Sequence, residues 1–525
     1  MKYAKLATVE IPQSEPLNER QVKNNAGGFV FALDNWKRLD RFLILGSDAP
    51  TYYQKAVKLT RENAKCVAAC YDEDAARTVA RIVEISDAGR APKNDPAIFA
   101  LAMGAVHKDV KVRTLALVAL PKVCRISTHL FQFVTAARAL GRGWGRAMKR
   151  AVASWYDSKP VDVVAFQAIK YRQREGYTHK RLLQTSHPKG DKSIDRDALY
   201  QWICGKPHEH DNLPNFIRAH EAAMKVTETR FWADCVKHDK LPWEALPTEA
   251  NTKPEVWQAM LPDMGLTALI RNLGNMSRYG VFTPLSKFEQ IAVDRITDKA
   301  QIKKARVHPF TILQALKVYE QGHGFRSRGN GWTVSRPIVD ALDSAFDLAF
   351  DNVEPTGKRI FIGLDVSGSM SSPFNDSAMM VSEAGAAMAM TVMRREKHWH
   401  VMGFADGLRD LGLSAKMSLA SVVRKTAGLT FGGTDCALPM TYAERMGMNV
   451  DAFIVITDNE TWAGHVHPSI ALQSYRNKSG INAKLIVMGM TSTGFTIADP
   501  TDAGMLDIVG MDSSVPVLVS DFIRN

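Results

Sequence analysis

Arg359-Ile-Phe-Ile-Gly-Leu-Asp-Val-Ser-Gly-Ser-Met370 decides how the rest of the chain is read. The run Ile360 to Leu364 is apolar and short enough for a buried strand, and Asp365 stands where that strand ends. Two hydroxyls follow at alternate positions, Ser367 and Ser369, in a loop whose oxygens face one point. Farther on, the turn Gly432-Gly-Thr-Asp435 offers Thr434, and Phe453-Ile-Val-Ile-Thr-Asp458 ends a second apolar strand in a second carboxylate. Hard cations take oxygen ligands, and Mg²⁺ favours one or two carboxylates with neutral oxygens or water for the rest. Asp365, Ser367, Ser369, Thr434 and Asp458 are therefore the expected ligands of one divalent ion, Mg²⁺ in the first instance. The competing use of the first fragment is as a helix cap, which Asp and Ser fill constantly. The second carboxylate and the threonine favour the ion, because both fall at the carboxyl edge of a parallel sheet, where open α/β folds bind ligands.

This ligand pattern is similar to the metal-ion-dependent adhesion site of the von Willebrand factor A family, a binding device and not a catalytic one. Around it, strands at 360–364, 400–405, 452–457, 484–490 and 515–519 alternate with helices near 376–397, 417–427, 437–447 and 467–479. That alternation predicts a doubly wound α/β domain over 356–525, divided by Glu354-Pro-Thr-Gly357 from what precedes it. Residues 29–355 read as almost wholly helical, with apolar positions at three and four spacing in segments such as 52–69, 74–85, 96–106, 110–118 and 128–139. Helix pairs with no strand between them predict an α-solenoid, although no fixed repeat period emerges. Residues 1–28 read as an N-terminal extension, polar and ending in Asn-Asn-Ala-Gly-Gly.

At 525 residues, with 46% apolar and 23% charged side chains, the chain reads as a multidomain globular protein. The most apolar stretch, Ala378 to Met393, is broken by Glu383, and Met1-Lys-Tyr-Ala-Lys5 has no apolar core behind it. Neither a membrane span nor a secretory signal is expected. Six scattered cysteines without a CxxC pair suit a reducing, cytoplasmic setting, and Cys66 and Cys70 read as small core residues.

The net charge of +12 is unevenly spread. Residues 358–525 hold 14 Lys and Arg against 16 Asp and Glu, leaving 53 against 39 in residues 1–357. Residues 138–192 alone carry 13 basic and 4 acidic side chains. Arg142, Arg146 and Arg150 recur every four residues, as the side chains of one helical face would, with Lys149 beside them. Lys170, Arg172, Arg174, His179, Lys180 and His187 follow, interleaved with Trp144, Trp155, Tyr171 and Tyr177. Cations for phosphates and flat rings for unpaired bases are what a nucleic-acid surface needs, although Trp155 reads as core. Arg271, Lys303, Lys304 and Arg306 either extend this rim or cap helix ends. His208 and His210 read as a charged surface turn.

With both halves read, the chain resembles the Ro ribonucleoprotein autoantigen family, whose members join a TROVE domain to a von Willebrand A domain, and within it a bacterial-type orthologue. The resemblance rests on Asp34-Asn-Trp-Lys-Arg-Leu-Asp-Arg-Phe-Leu-Ile-Leu-Gly46, Gly176-Tyr-Thr-His-Lys180, Arg306-Val-His-Pro-Phe310, Asp365-Val-Ser-Gly-Ser-Met370, Gly432-Gly-Thr-Asp-Cys436 and Thr457-Asp-Asn-Glu-Thr461. It implies a monomeric ring of HEAT-like helical repeats closed by the A domain. It also implies small noncoding Y-type RNA on a basic outer surface, single-stranded ends of misfolded RNA in a central hole, and an exoribonuclease as partner in RNA quality control. Lys170 and His187 fall where family members contact Y RNA.

Two other classes compete with this scaffold. One is a metal-dependent protein-adhesion module that recruits a partner, with RNA secondary. The other is a nuclease or phosphatase, which the residues disfavour. Ser367 stands where a haloacid-dehalogenase-type phosphatase wants a second Asp, the GxSxG elbow is missing, and no carboxylates cluster for two metals.

Overall fold

The computed structural model describes residues 10–46, 59–91, 93–191, 193–305, 307–324, 327–350, 354–373, 379–426, 432–491, 493–512 and 514–525. Helices fill the chain from Asn35–Leu45 to Arg336–Leu348, and each packs on near neighbours in sequence. Local signals set their ends. Asp74 accepts a hydrogen bond from the Arg77 amide (2.9 Å) to start Ala75–Ala88, Asp109 accepts one from Lys111 (2.8 Å) to start Val110–Val123, and Gly205 in the left-handed region ends Ile194–Cys204. The helix Asp95–Ala105 is buried on every side, between its neighbours Val110–Val123 and Ser127–Ala139. Of the expected helix 52–69, residues 52–58 lie outside the described residues and Lys65–Glu73 is helical.

The α/β part is a six-stranded sheet in the order Met505–Val509, Lys484–Gly489, Ala452–Thr457, Arg359–Asp365, His398–Phe404, Leu408–Arg409. All neighbours are parallel except the last, an antiparallel edge. Chain order therefore reverses between Arg359–Asp365 and Ala452–Thr457, and the crevice beyond their carboxyl ends is where such sheets bind ligands. The strand expected at 515–519 is a helix, Val515–Arg524, and the outermost parallel strand is Met505–Val509 instead. Pro516 sits in the first helical turn, where its fixed φ suits a helix, and Val515, Val519 and Ile523 bury one helical stripe despite their β-branched side chains. The helix expected at 376–397 is Val381–Arg395, its expected first residues 376–378 falling outside the described ones.

The two parts close on each other. Arg41, 1% exposed, sends one guanidinium nitrogen to both oxygens of Asp507 (2.7 and 2.9 Å) and another to the Thr493 carbonyl (3.0 Å) and hydroxyl (2.7 Å). At the far end of the helical array Lys317 reaches Glu383 (2.7 Å), and Arg394 meets Asp343 and Asp347. His308 on the late helices lies 3.2 Å from the Arg90 carbonyl on the early ones, and Arg90 pairs with Asp512. The helical array thus returns to its start and is completed by the sheet.

Residues 10–28 are not a free tail. Gln21–Lys23 pairs with Phe29–Ala32, which pairs in turn with Phe495–Thr496 of the α/β part. The extension is built into the domain at the opposite end of the chain.

Removing one member of a buried ion pair leaves an uncompensated charge, so Arg41→Ala should lower the unfolding free energy by about 3–5 kcal/mol. The apolar pair Arg41→Met with Asp507→Leu should recover most of that loss in urea denaturation.

Candidate functional site

Asp365 and Asp458 end adjacent parallel strands, and both are buried, with exposures of 0% and 2%. One Asp365 oxygen accepts the Ser367 amide (2.9 Å) and the other accepts the Thr457 hydroxyl (2.6 Å). Ser367 and Ser369 Oγ stand 3.1 Å apart, Ser369 hydrogen-bonds Asp458, and Asp458 accepts the Glu460 amide at 3.1 Å. Thr434 is buried, and its carbonyl accepts the amides of Trp462 (2.9 Å) and Ala463 (3.0 Å), which joins its loop to the one after Asp458.

Burial and the nearby Asp458 carboxylate push Asp365 up to about 7, and burial raises Asp458 as well. Among the described residues no Lys, Arg or His forms an ion pair with either. Two buried carboxyls, the paired hydroxyls of Ser367 and Ser369 and no cationic partner among the described residues form a donor set that fits a hard divalent ion, with Thr434 on the adjoining loop. Among the described residues no three His, Cys, Asp or Glu side chains converge.

The basic residues fall into distinct settings. The helix Arg146–Asp157 buries Met148, Ala151, Val152, Trp155 and Tyr156, leaving Arg146 and Arg150 exposed and Lys149 half-exposed on the opposite face. Arg142 is not on that face. It lies in the loop before the helix, with its amide bonded to the Ala137 carbonyl (2.8 Å), because Gly141, Gly143 and Gly145 break the helical run. Lys170 ends the helix Val161–Lys170, 3.5 Å from Glu244 and over the rings of Phe166, Tyr171 and Trp243. Lys170, Tyr171, Arg172 and Arg174 line one concavity with His220 and Glu244. Arg172 reaches the His220 ring (2.9 Å), while Arg174 projects from a hairpin turned by Glu175 and Gly176, both at positive φ. Burial and the Glu244 carboxylate push Tyr171 up, and Arg271, from a helix 100 residues later, lies close enough to oppose them in part. Lys180 and His187 are exposed, His187 at φ 50 closing the helix His179–Ser186.

His179 corrects the sequence reading. It is 3% exposed, its Nδ1 lies 3.0 Å from the Tyr156 hydroxyl, and the Phe131 ring packs edge-on against it. Burial pushes it down to about 4, so it is a neutral core residue and touches no ligand from outside. Its neighbours in sequence are basic, and only the buried stripe Leu182, Leu183 and Ser186 on the same helix signals the difference. Glu244 and His220 have no signal in the sequence: each enters the concavity only through the packing of distant helices. Cys66 and Cys70 are buried, as small core residues, while His208 and His210 lie on the surface.

The Ro60 vWA domain model matches residues 359–523, and the TROVE domain model matches residues 22–231 and 237–318. The chain is 42% identical over 522 residues to the RNA-binding protein RO60 of Deinococcus radiodurans, covering 98% of this chain and 97% of that protein. It is 34% identical over 589 residues to the RNA-binding protein RO60 of Caenorhabditis elegans, covering 97% and 91% respectively. The crystal structure of the Deinococcus radiodurans RO (RSR) protein superposes with a TM-score of 0.71 at 40% identity, over 94% of this chain and 99% of that one.

The unfolded chain protonates His179 below about pH 6.5 while the folded chain resists until about 4, so this group's share of stability is complete above 6.5 and is lost as pH falls through that window. His179→Phe should flatten the loss between those values. It should cost roughly 1–3 kcal/mol at neutral pH for the unpaired Tyr156 hydroxyl and leave the RNA affinity of the folded protein unchanged, measured by denaturation and filter binding.

Proposed function

The chain belongs to the family of TROVE and vWA domain proteins that includes RO60, and on that premise we propose that it is an RNA-binding ribonucleoprotein scaffold. Its basic outer surface holds small noncoding Y-type RNA, single-stranded ends of misfolded RNA enter the central hole, and the complex serves RNA quality control, processing or decay in the cytoplasm. The observation that carries the reading is the grouping of Arg146, Lys149 and Arg150 on the outward face of one helix, with exposed Lys180, His187 and Arg271 elsewhere on the helical part. Guanidinium and ammonium groups there neutralise phosphates and release counterions, which supplies affinity without sequence preference. Lys170, Tyr171, Arg172 and Arg174 add a concave edge where charge and a half-buried ring take an unpaired nucleotide. Selectivity then comes from shape and strandedness, because a closed helical ring excludes a bulky duplex.

In the α/β part, Asp365, Ser367, Ser369, Thr434 and Asp458 are the residues that would hold a divalent ion, most simply Mg²⁺. The ion would supply an open coordination position for an acidic group on a protein partner such as an exoribonuclease. The site reads as adhesive, because two carboxylates with neutral oxygens suit the holding of a single ion. The alternative, an adhesion module with RNA secondary, draws on Trp462, which is 45% exposed beside the Thr434 loop and offers an apolar contact next to the ion.

Arg146→Ala with Arg150→Ala should weaken binding of a small structured RNA and lower the slope of log affinity against log salt by about 0.7–0.9 for each phosphate no longer neutralised. Unchanged affinity and slope in filter binding across a salt series would count against the surface. Mg²⁺ should raise the unfolding free energy of the wild type, by about 2.7 kcal/mol at a hundredfold excess over Kd. Asp365→Ala should remove that response and leave RNA affinity intact.

A further inference from the structure

Residues 10–28 run across the loops that carry the ion ligands. Gln13 is fully buried although it lies in a polar lead-in. Its side-chain amide donates to Asp435 Oδ1 (2.7 Å) and to the Val466 carbonyl (2.7 Å), and its oxygen accepts from the Thr461 hydroxyl. Asp435 follows the ligand Thr434, and Thr461 lies three residues after the ligand Asp458, so one side chain spans both loops. The Thr461 hydroxyl also accepts the Cys436 amide at 3.0 Å, tightening the same bridge.

Asn25 supports the second loop from outside. Its amide (2.9 Å) and its side-chain nitrogen (2.6 Å) donate to the two oxygens of Glu460, with the Ala26 amide adding a third bond at 3.2 Å. Glu460 is the residue whose backbone N–H holds Asp458 Oδ1. Asn24 donates to the Thr461 carbonyl (2.7 Å). At Gly28 the approach is so close that a Cβ would collide with that carbonyl, which only glycine avoids. The strap then continues into Phe29–Ala32 and the first helix of the ring.

We propose that residues 10–28 are a strap that orients the ion ligands, with Gln13 positioning the Thr434 loop and Asn25, through Glu460, positioning Asp458. The proposal rests on the reading of the five oxygen ligands as a divalent-ion site. Groups that orient metal ligands without touching the metal are worth roughly 10–100-fold in metal affinity. The strap therefore ties ion affinity to the start of the helical ring, since the same residues that support the ligands lead directly into its first helix.

The test is a Mn²⁺ titration of the full-length protein, with free Mn²⁺ followed by electron paramagnetic resonance. Arg20→Ala serves as the control, because Arg20 fastens the same strap to Asp499 (3.2 Å) and Thr501 (2.8 Å), away from the ion loops. Gln13→Ala and Asn25→Ala should each raise the Mn²⁺ dissociation constant about 10-fold or more, while Arg20→Ala stays within about twofold of the wild type. Circular dichroism melts in chelator establish that the variants compared are folded. Asn25 is exposed, so its variant decides the matter should Gln13→Ala fail to fold. Wild-type affinity in both strap variants overturns the proposal and leaves the ion site standing. No Mn²⁺ uptake by the wild type, or uptake by Asp365→Ala equal to it, overturns the ion reading and the strap with it.

Discussion

A guanidinium at 1% side-chain exposure, held by a carboxylate at 4%, joins the first helix of the ring to a strand of the α/β sheet. Arg41 and Asp507 lose hydration that their mutual attraction only partly returns, so the pair gives specificity of assembly more than net stability. The helical array needs that specificity. Stacked helix pairs have no intrinsic stopping point, and an open array leaves an apolar face at each end. Here the α/β part meets both ends, through Asp507 on its outer strand at one junction and through Glu383 and Arg394 on its helix Val381–Arg395 at the other. Both functional regions inherit their geometry from this closure.

The two regions make opposite electrostatic demands. The helical part keeps Arg146, Arg150, Lys180 and Arg271 in contact with solvent, where cations can exchange water for phosphate at small cost. The sheet instead withdraws Asp365 and Asp458 from water beside each other, an arrangement that costs free energy when both are ionised and raises both carboxyls. Its location follows from topology. The strand order reverses between the two strands those residues end, which opens a crevice at their carboxyl edge.

Much of this was legible from residues alone, because strand-end carboxylates and alternating elements are local patterns. The strands 359–365 and 452–457 and the helices around them lie where periodicity puts them. The last strand failed because Val515-Pro-Val-Leu-Val519 has β-branched composition, while the helical start supplied by Pro516 and the buried 515, 519, 523 stripe outweigh it. Met505-Leu-Asp-Ile-Val509 was overlooked because Asp507 interrupts its apolar run, and the charge makes sense only once Arg41 arrives from far away. His179 and Arg142 failed for a related reason: charge clustering in sequence does not say which side of a helix faces inward, or where glycines end the helix. The strap was illegible altogether, since Gln13 and Asn25 find their partners more than 400 residues away.

That separation governs how the protein is made. Gln13 and Thr461 lie 448 positions apart, and Arg41 and Asp507 lie 466 apart. At about 5–20 residues per second, a ribosome finishes the partner of the first helix roughly 20–90 s after releasing Arg41. Throughout that interval the hairpin 21–32 exposes unpaired backbone and the early helices lack their cover. Ring closure is therefore a late step that cannot begin until nearly all of the 525 residues have been translated.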